Sequence, residues 1–316
     1  MADGGISGPL TLAVDAEGWP LDVADFPGCE AVRVPRERIE DHESRVEYWD
    51  SLTETAMVVR EPTSPFHERP SQRLARLAER IAASSGSIIE TFGASDLVRA
   101  FADGRARVLM QADQVLYLDP PTEAELGPKI DVDNDRLPDV VLEVDYSTDV
   151  RPGKLPRYEA WGFPEVWVDV PDERSASRPR SRPSGLTIHV LVDGRFSTAT
   201  QSRAFPGWTA AEIHRALNEH APSAESHAVL RRVGRALGKL EGTGPDDDPW
   251  LRSERDEGRS EGFVAAALAL LDSRDIPYSH ELAFRLRQVA DRSPKDLIAA
   301  ARACTDADDL LRRLPG

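Results

Sequence analysis

The sequence predicts an α/β protein: a mixed sheet flanked by helices, with a helical extension at the C-terminal end. Three observations carry this. Apolar runs of strand length recur at 107–118, 139–146 and 165–170. A helical stripe of Leu74, Leu77, Ala78 and Ile81 precedes them, the spacing of one buried helix face. From about residue 209 onward the apolar spacing is helical almost throughout.

In chain order, residues 1–45 read as short strands and turns punctuated by Pro and Gly. "TETAMVVREP" (53–62) is strand-like and leads into the loop "PTSPFHERP". The helix follows over 71–84, with Ser71 as the expected N-cap. A short strand is expected over 87–92, then the strand 107–118 with Asp113 inside it. An acidic, Pro-rich connection leads to "PDVVLEVD". "KLPRYEAWG" (154–162) reads as a short helix closed by Gly162, and "PEVWVDVPD" as an aromatic strand. "ERSASRPRSRPS" (173–184) reads as a solvated, mobile loop. "GLTIHVLVDGRFSTAT" reads as a hairpin turning at Asp193-Gly194. These features divide the chain into an N-terminal strand and turn segment (1–45), an α/β core (46–208) and a helical region (209–316) with a linker at 242–250.

Composition narrows the function classes. The 316 residues carry 55 acidic against 39 basic side chains, a formal net charge of −16. Such a field repels nucleic acid at long range, so any DNA contact must come from a local basic surface or a bound cation. Cys29 and Cys304 are far apart and show no zinc-type spacing, which fits a reducing cytoplasm. The stretch "MADGGISGPLTL" has no basic and apolar signal-peptide pattern, and no run has the length of a membrane span. No Walker A loop, Gly-rich dinucleotide loop or G-x-S-x-G elbow occurs.

The chemistry centres on acids inside apolar strands. Along "PDVVLEVD", alternation puts Asp139, Val141, Glu143 and Asp145 on one face and Val140, Leu142 and Val144 on the other. Asp139 lies roughly 13 Å along the strand from Glu143, too far to share an ion with it. Asp113 interrupts the neighbouring run in the same way. If strands 107–118 and 139–146 pair, Asp113 and Glu143 meet and offer hard oxygen ligands suited to Mg²⁺ or Mn²⁺. Lys154, one of only four lysines, begins the next helix. Two carboxylates and a lysine are the parts of metal-assisted phosphodiester hydrolysis. From the residues alone the alternative stands that these acids are solvated strand residues.

The run from "PDVVLEV" through "KLPRYEAWGFPEVWVDV" resembles the Uma-two family of restriction endonucleases, within the PD-(D/E)XK nuclease superfamily. The likeness covers about residues 46–208. It implies a restriction-endonuclease-like fold, DNA as partner and Mg²⁺ or Mn²⁺ as cofactor. Residue by residue it implies Asp113 as the first acid, Glu143 as the second and Lys154 as the lysine. The lysine otherwise expected two residues beyond the glutamate is Asp145 here. Glu68, just before the first helix and beside His67, is implied as a further metal ligand, with Glu54 as a lesser alternative. The amphipathic C-terminal helices imply a dimer or partner surface. Two functions are therefore carried forward: a Mg²⁺-dependent DNA endonuclease, and a catalytically silent nuclease-fold binding or scaffold protein.

Overall fold

The computed structural model describes residues 14–42, 44–62, 64–122, 125 and 127–314. The stretch 1–12, expected to carry no signal peptide, lies outside them. The chain forms two compact units, Met1–Gly242 and Thr243–Gly316.

The first unit opens with β1 (Cys29–Arg33), β2 (Val46–Asp50) and β3 (Thr55–Val59), followed by helix α1 (Pro65–Ser85). Next come β4 (Glu90–Ala100), β5 (Ala106–Tyr117), the short β6 (Ile130–Asp131) and β7 (Val140–Val144). The unit continues through α2 (Lys154–Ala160), β8 (Glu165–Val170), β9 (Gly185–Val192), β10 (Arg195–Ala199), α3 (Ala210–Asn218) and α4 (Ala224–Glu241). The ten strands form one mixed sheet in the order β1-β3-β2-β5-β7-β8-β9-β10, with β4 on the other edge of β5 and β6 beside β4. β7 and β8 run parallel, joined by α2.

The expected pairing is present: β5 and β7 are antiparallel neighbours, Gln114 opposite Leu142. The alternation along β7 also holds. Val140, Leu142 and Val144 join a core with Leu77 and Ile81 of α1, Ile213 of α3 and Val233 of α4. Val141 joins the opposite core with Tyr158, Phe163 and Val166. The hairpin turns at Asp193 and Gly194, both at positive φ (50° and 75°), the geometry that matches strand twist.

Several boundaries differ from those expected. Helix α1 starts at Pro65, not at Ser71. Ser64 is its N-cap, accepting from Phe66 N, and Pro65 supplies the fixed φ favoured at a first helical position. This draws His67 and Glu68 into the first turns of the helix. The strand expected over 87–92 runs from Glu90 to Ala100, its period broken at Ala94 by a positive φ of 48°. The loop 173–184 is exposed along most of its length, as expected, but is anchored at two points: Arg178, 6% exposed, donates to Pro171 O, and Arg182 pairs with buried Asp145. Glu54 pairs with Arg33 on the surface.

The second unit holds α5 (Pro249–Asp272), α6 (His280–Ala290), α7 (Pro294–Ala303) and α8 (Ala307–Arg313). They enclose their own core of Val264, Leu271, Leu286, Leu297, Ala301 and Leu310. No described helix is long and apolar enough to cross a membrane.

Candidate active site

Strand β4 runs along one edge of β5 from end to end. The other edge is shared. β2 pairs with Val108–Met110 and β7 with Gln114–Leu116, so β2 and β7 part at Gln111–Asp113. A fork in a sheet leaves backbone polar groups without ladder partners, which must be satisfied otherwise when buried. Here charged side chains do so. Lys154 Nζ donates to Gln111 O at 2.6 Å, and Asp113 Oδ2 accepts from Val144 N at 2.7 Å.

Strand irregularities aim the acids into this fork. The β2–β3 register slips between Val46 and Tyr48, leaving Glu47 as the extra residue. On β5, Ala112 and Val115 both face the same core, so alternation slips across Asp113–Gln114, opposite the positive-φ Ala94. An extra residue re-aims a side chain without ending the strand.

The buried cluster is dense. Lys154, the first residue of α2 and 1% exposed, straddles the Glu143 carboxylate at 2.7 and 2.8 Å and donates to Glu47 Oε2 at 2.9 Å. With Gln111 O this occupies all three ammonium hydrogens. Tyr158, one turn along α2, donates a short hydrogen bond to Glu143 Oε1. Arg45 Nη2 bridges Glu47 at 2.9 Å and Asp113 at 3.0 Å. From α1, His67 Nε2 lies 3.2 Å from Asp113 Oδ1, in ion-pair range without the alignment of a hydrogen bond. Its Nδ1 is 3.0 Å from Glu68 Oε1, and Glu68, with a side chain 42% exposed, marks the rim.

Electrostatics separates the two central acids. Burial pushes Glu143 upward, Asp113 and Glu47 add to the rise, and Lys154 opposes it without cancelling it. Burial also opposes ionisation of Asp113, but Arg45, His67 and Lys154 outweigh it and hold that carboxyl well below the usual range. Lys154 is pulled above its ordinary value because its three acids outweigh burial. Opposite charges favour the charged form and like charges disfavour it.

The remaining acids of the motif have other roles. Asp139 Oδ2 accepts from Leu118 N at 2.8 Å, closing the turn beyond β5. Asp145 accepts from Val150 N at 3.1 Å and pairs with Arg182, which fixes the turn leading to Lys154. Four residues of the cluster had no place in the sequence-based site: Arg45, Glu47, His67 as a contact of Asp113, and Tyr158. Glu47 carried the signal that marked Asp113, an acid inside the apolar run "VEYWD". Arg45, at alternate spacing from it, was legible only with Glu47.

Residues 33–217, more than half of the chain, match the family described as Uma2, "Putative restriction endonuclease". The chain belongs to the Uma2 family. A solved structure is also similar, that of "a putative nuclease belonging to DUF820" from Anabaena variabilis. It shares 10% identity at a TM-score of 0.38, over 63% of this chain and 99% of that one. No curated protein matches. The part of the chain that matches the Uma2 family contains every residue of the buried cluster.

Proposed function

We propose that this Uma2 protein hydrolyses DNA phosphodiester bonds with Mg²⁺ or Mn²⁺. The supporting observation is the meeting of Asp113, Glu143 and Lys154, from β5, β7 and α2, at the fork of the sheet. The donor chemistry fits a hard cation. Four carboxyl groups (Glu47, Glu68, Asp113, Glu143) face three basic side chains, Arg45, Lys154 and His67, so acids outnumber bases in the cluster. Asp113 and Glu143 would be the ligands, with Glu68 as a further oxygen at the rim. Among the described residues no three His, Cys, Asp or Glu side chains form a site for one ion. Water and phosphate would therefore complete the shell, as Mg²⁺ commonly allows. An ion held there supplies charge neutralisation at the phosphate and a water of lowered pKa.

The chain's own groups set the conditions. Lys154 and Tyr158 hold the Glu143 carboxylate in one orientation, and Val144 N fixes Asp113. All three ammonium hydrogens of Lys154 are taken, so its first role is to position Glu143. Helping the nucleophilic water requires release of one partner, of which Gln111 O is the one uncharged group. Arg45 bridges Asp113 and Glu47 and supplies a fixed positive charge to both.

The second reading is a catalytically silent binding or scaffold protein that assembles through its C-terminal helices. The Arg45 bridge between Asp113 and Glu47 favours it, because the chain there provides its own cation. Plasmid nicking separates the two. Mg²⁺-dependent nicking that is lost in Glu143→Gln and Asp113→Asn supports hydrolysis. Metal should also raise the melting temperature of wild type more than that of either variant, since a ligand that binds the folded state stabilises it. No nicking and no metal-dependent shift in a well-folded preparation leaves the silent reading.

A further inference from the structure

In a chain of net charge −16, one face of α1 concentrates positive charge. Arg69, Arg73 and Arg76 follow one another at helical spacing and, with Glu68 and the helix start at Ser64 and Pro65, line a cleft of about 490 Å³. Glu68 is paired with His67, which lies 3.2 Å from Asp113, so one residue of the cleft lining is linked through His67 to the buried cluster. Burial lowers the Arg73 pKa, Arg69 and Arg76 push it down further, and Glu219 opposes them. Arg69 lies 4.0 Å from Glu173, the limit of an ion pair, and is 34% exposed. Arg76 is exposed and has no carboxylate within 4 Å among the described residues. Arg73 is committed to the fold, donating to Leu217 O and His220 O at the end of α3.

A row of like charges held at an opening implies an anionic partner. From Arg69 to Arg76 the helix rises about 10 Å, far enough for the two guanidiniums to meet different phosphates of one DNA strand. Guanidinium forks suit phosphate oxygens and stay charged at all working pH values. We propose that the Arg69–Arg73–Arg76 face of α1 is a phosphate track, along which the backbone of duplex DNA lies as one strand reaches the fork at Asp113. This rests on the nuclease reading and names the surface that reading needs, since net charge alone would exclude the substrate.

The test is binding without hydrolysis. A short fluorescently labelled DNA duplex is titrated by anisotropy, in chelator and over a series of salt concentrations, with the full-length chain. Wild type should bind with steep salt dependence. Arg69→Gln/Arg76→Gln should bind about tenfold or more weakly at low salt, with a salt slope reduced by about 2, one for each phosphate no longer neutralised. Arg69→Lys/Arg76→Lys should retain most of the binding. Melting temperatures should match wild type, because Arg73 is left in place; a destabilised double variant is replaced by Arg76→Gln alone, with a slope reduced by about 1. Equal binding by the Gln variant, or no duplex binding by wild type at low salt, overturns the track. Nicking with Mg²⁺ on the same preparations separates the two ideas. Weakened binding in the Gln variant with no nicking by wild type keeps the track and removes the nuclease. Nicking by the Gln variant at the wild-type KM removes the track and keeps the nuclease.

Discussion

Lys154 is the residue on which the buried cluster depends most. It pairs with Glu47 and Glu143 at once, and both acids are buried with it. Removing one partner of a buried ion pair leaves an uncompensated charge, at a cost of about 3–5 kcal/mol. Lys154→Met should therefore lower stability by about that amount in urea unfolding. Adding Glu143→Gln should recover part of the loss, because the stranded charge goes with it. An additive double variant would show that Glu143 does not feel the lysine. The three acids of "PDVVLEVD" should separate on the same scale. Asp139→Asn keeps an acceptor for Leu118 N at a half-buried turn and should be nearly neutral. Asp145→Asn removes the nearest carboxylate of Arg182, whose side chain is 7% exposed, and leaves it only Asp149 at 3.7 Å, so it should cost more.

Among the elements, α1 links the two sides of the unit, packing on α4 while presenting His67 and Glu68 to the fork. Gly234 sets that approach. A Cβ there would meet Ser84 Cβ at 2.6 Å and Ile81 O at 2.7 Å, a clash with backbone that cannot rotate away. Gly234→Ala should cost about 1–3 kcal/mol as overpacking, although alanine is the better helix former; a neutral result would mean that α4 can shift. A second element contact predicts a pH effect. His214 of α3 lies 2.6 Å from Asp169 of β8 and 3.1 Å from Asp172. Burial lowers its pKa, but the two acids raise it further, so the net direction is up from 6.5. Asp169, in turn, is raised mainly by burial. Both shifts have one sign: the folded state holds more protons than the unfolded chain. Stability from His214 is thus full below pH 6.5 and is lost as pH rises through the folded value. Melting temperatures of His214→Gln should fall less than those of wild type across that window. What the sequence disclosed follows from the same elements. Asp113 and Glu143 stood out because an acid breaks an apolar run, and β5 and β7 proved to be neighbours. Arg45 and Glu47 remained hidden because their contacts depend on β2 lying beside β5, a pairing across about sixty residues that local periodicity does not record. The start of α1 was missed because Pro70 reads as a helix stop, whereas Ser64 and Pro65 begin the helix one turn and a half earlier.

At the scale of the whole molecule, the question is how much chain the fork requires. Every residue of the buried cluster lies between Arg45 and Tyr158, but the core beneath it extends further. Val140, Leu142 and Val144 of β7 pack in one cluster with Trp208, Ile213, Leu217, Val233 and Leu237. Helices α3 and α4 therefore complete the same core that holds β7 in place. A chain ending at residue 208 would expose that surface, at roughly 1.5–3 kcal/mol for each large apolar side chain left without cover. Several such losses exceed the 5–15 kcal/mol that stabilises a typical domain. A chain ending at Gly242, where the positive φ of 77° closes α4, keeps this packing whole. We expect the 1–242 fragment to unfold cooperatively and to respond to Mg²⁺ in melting temperature as the full chain does. The 1–208 fragment should be recovered unfolded or aggregated. Thermal denaturation of both fragments with and without Mg²⁺ checks this. A folded 1–208 fragment would show that α3 and α4 only cover the sheet, and a 1–242 fragment without a cooperative transition would show that the nuclease-like core depends on residues 243–316.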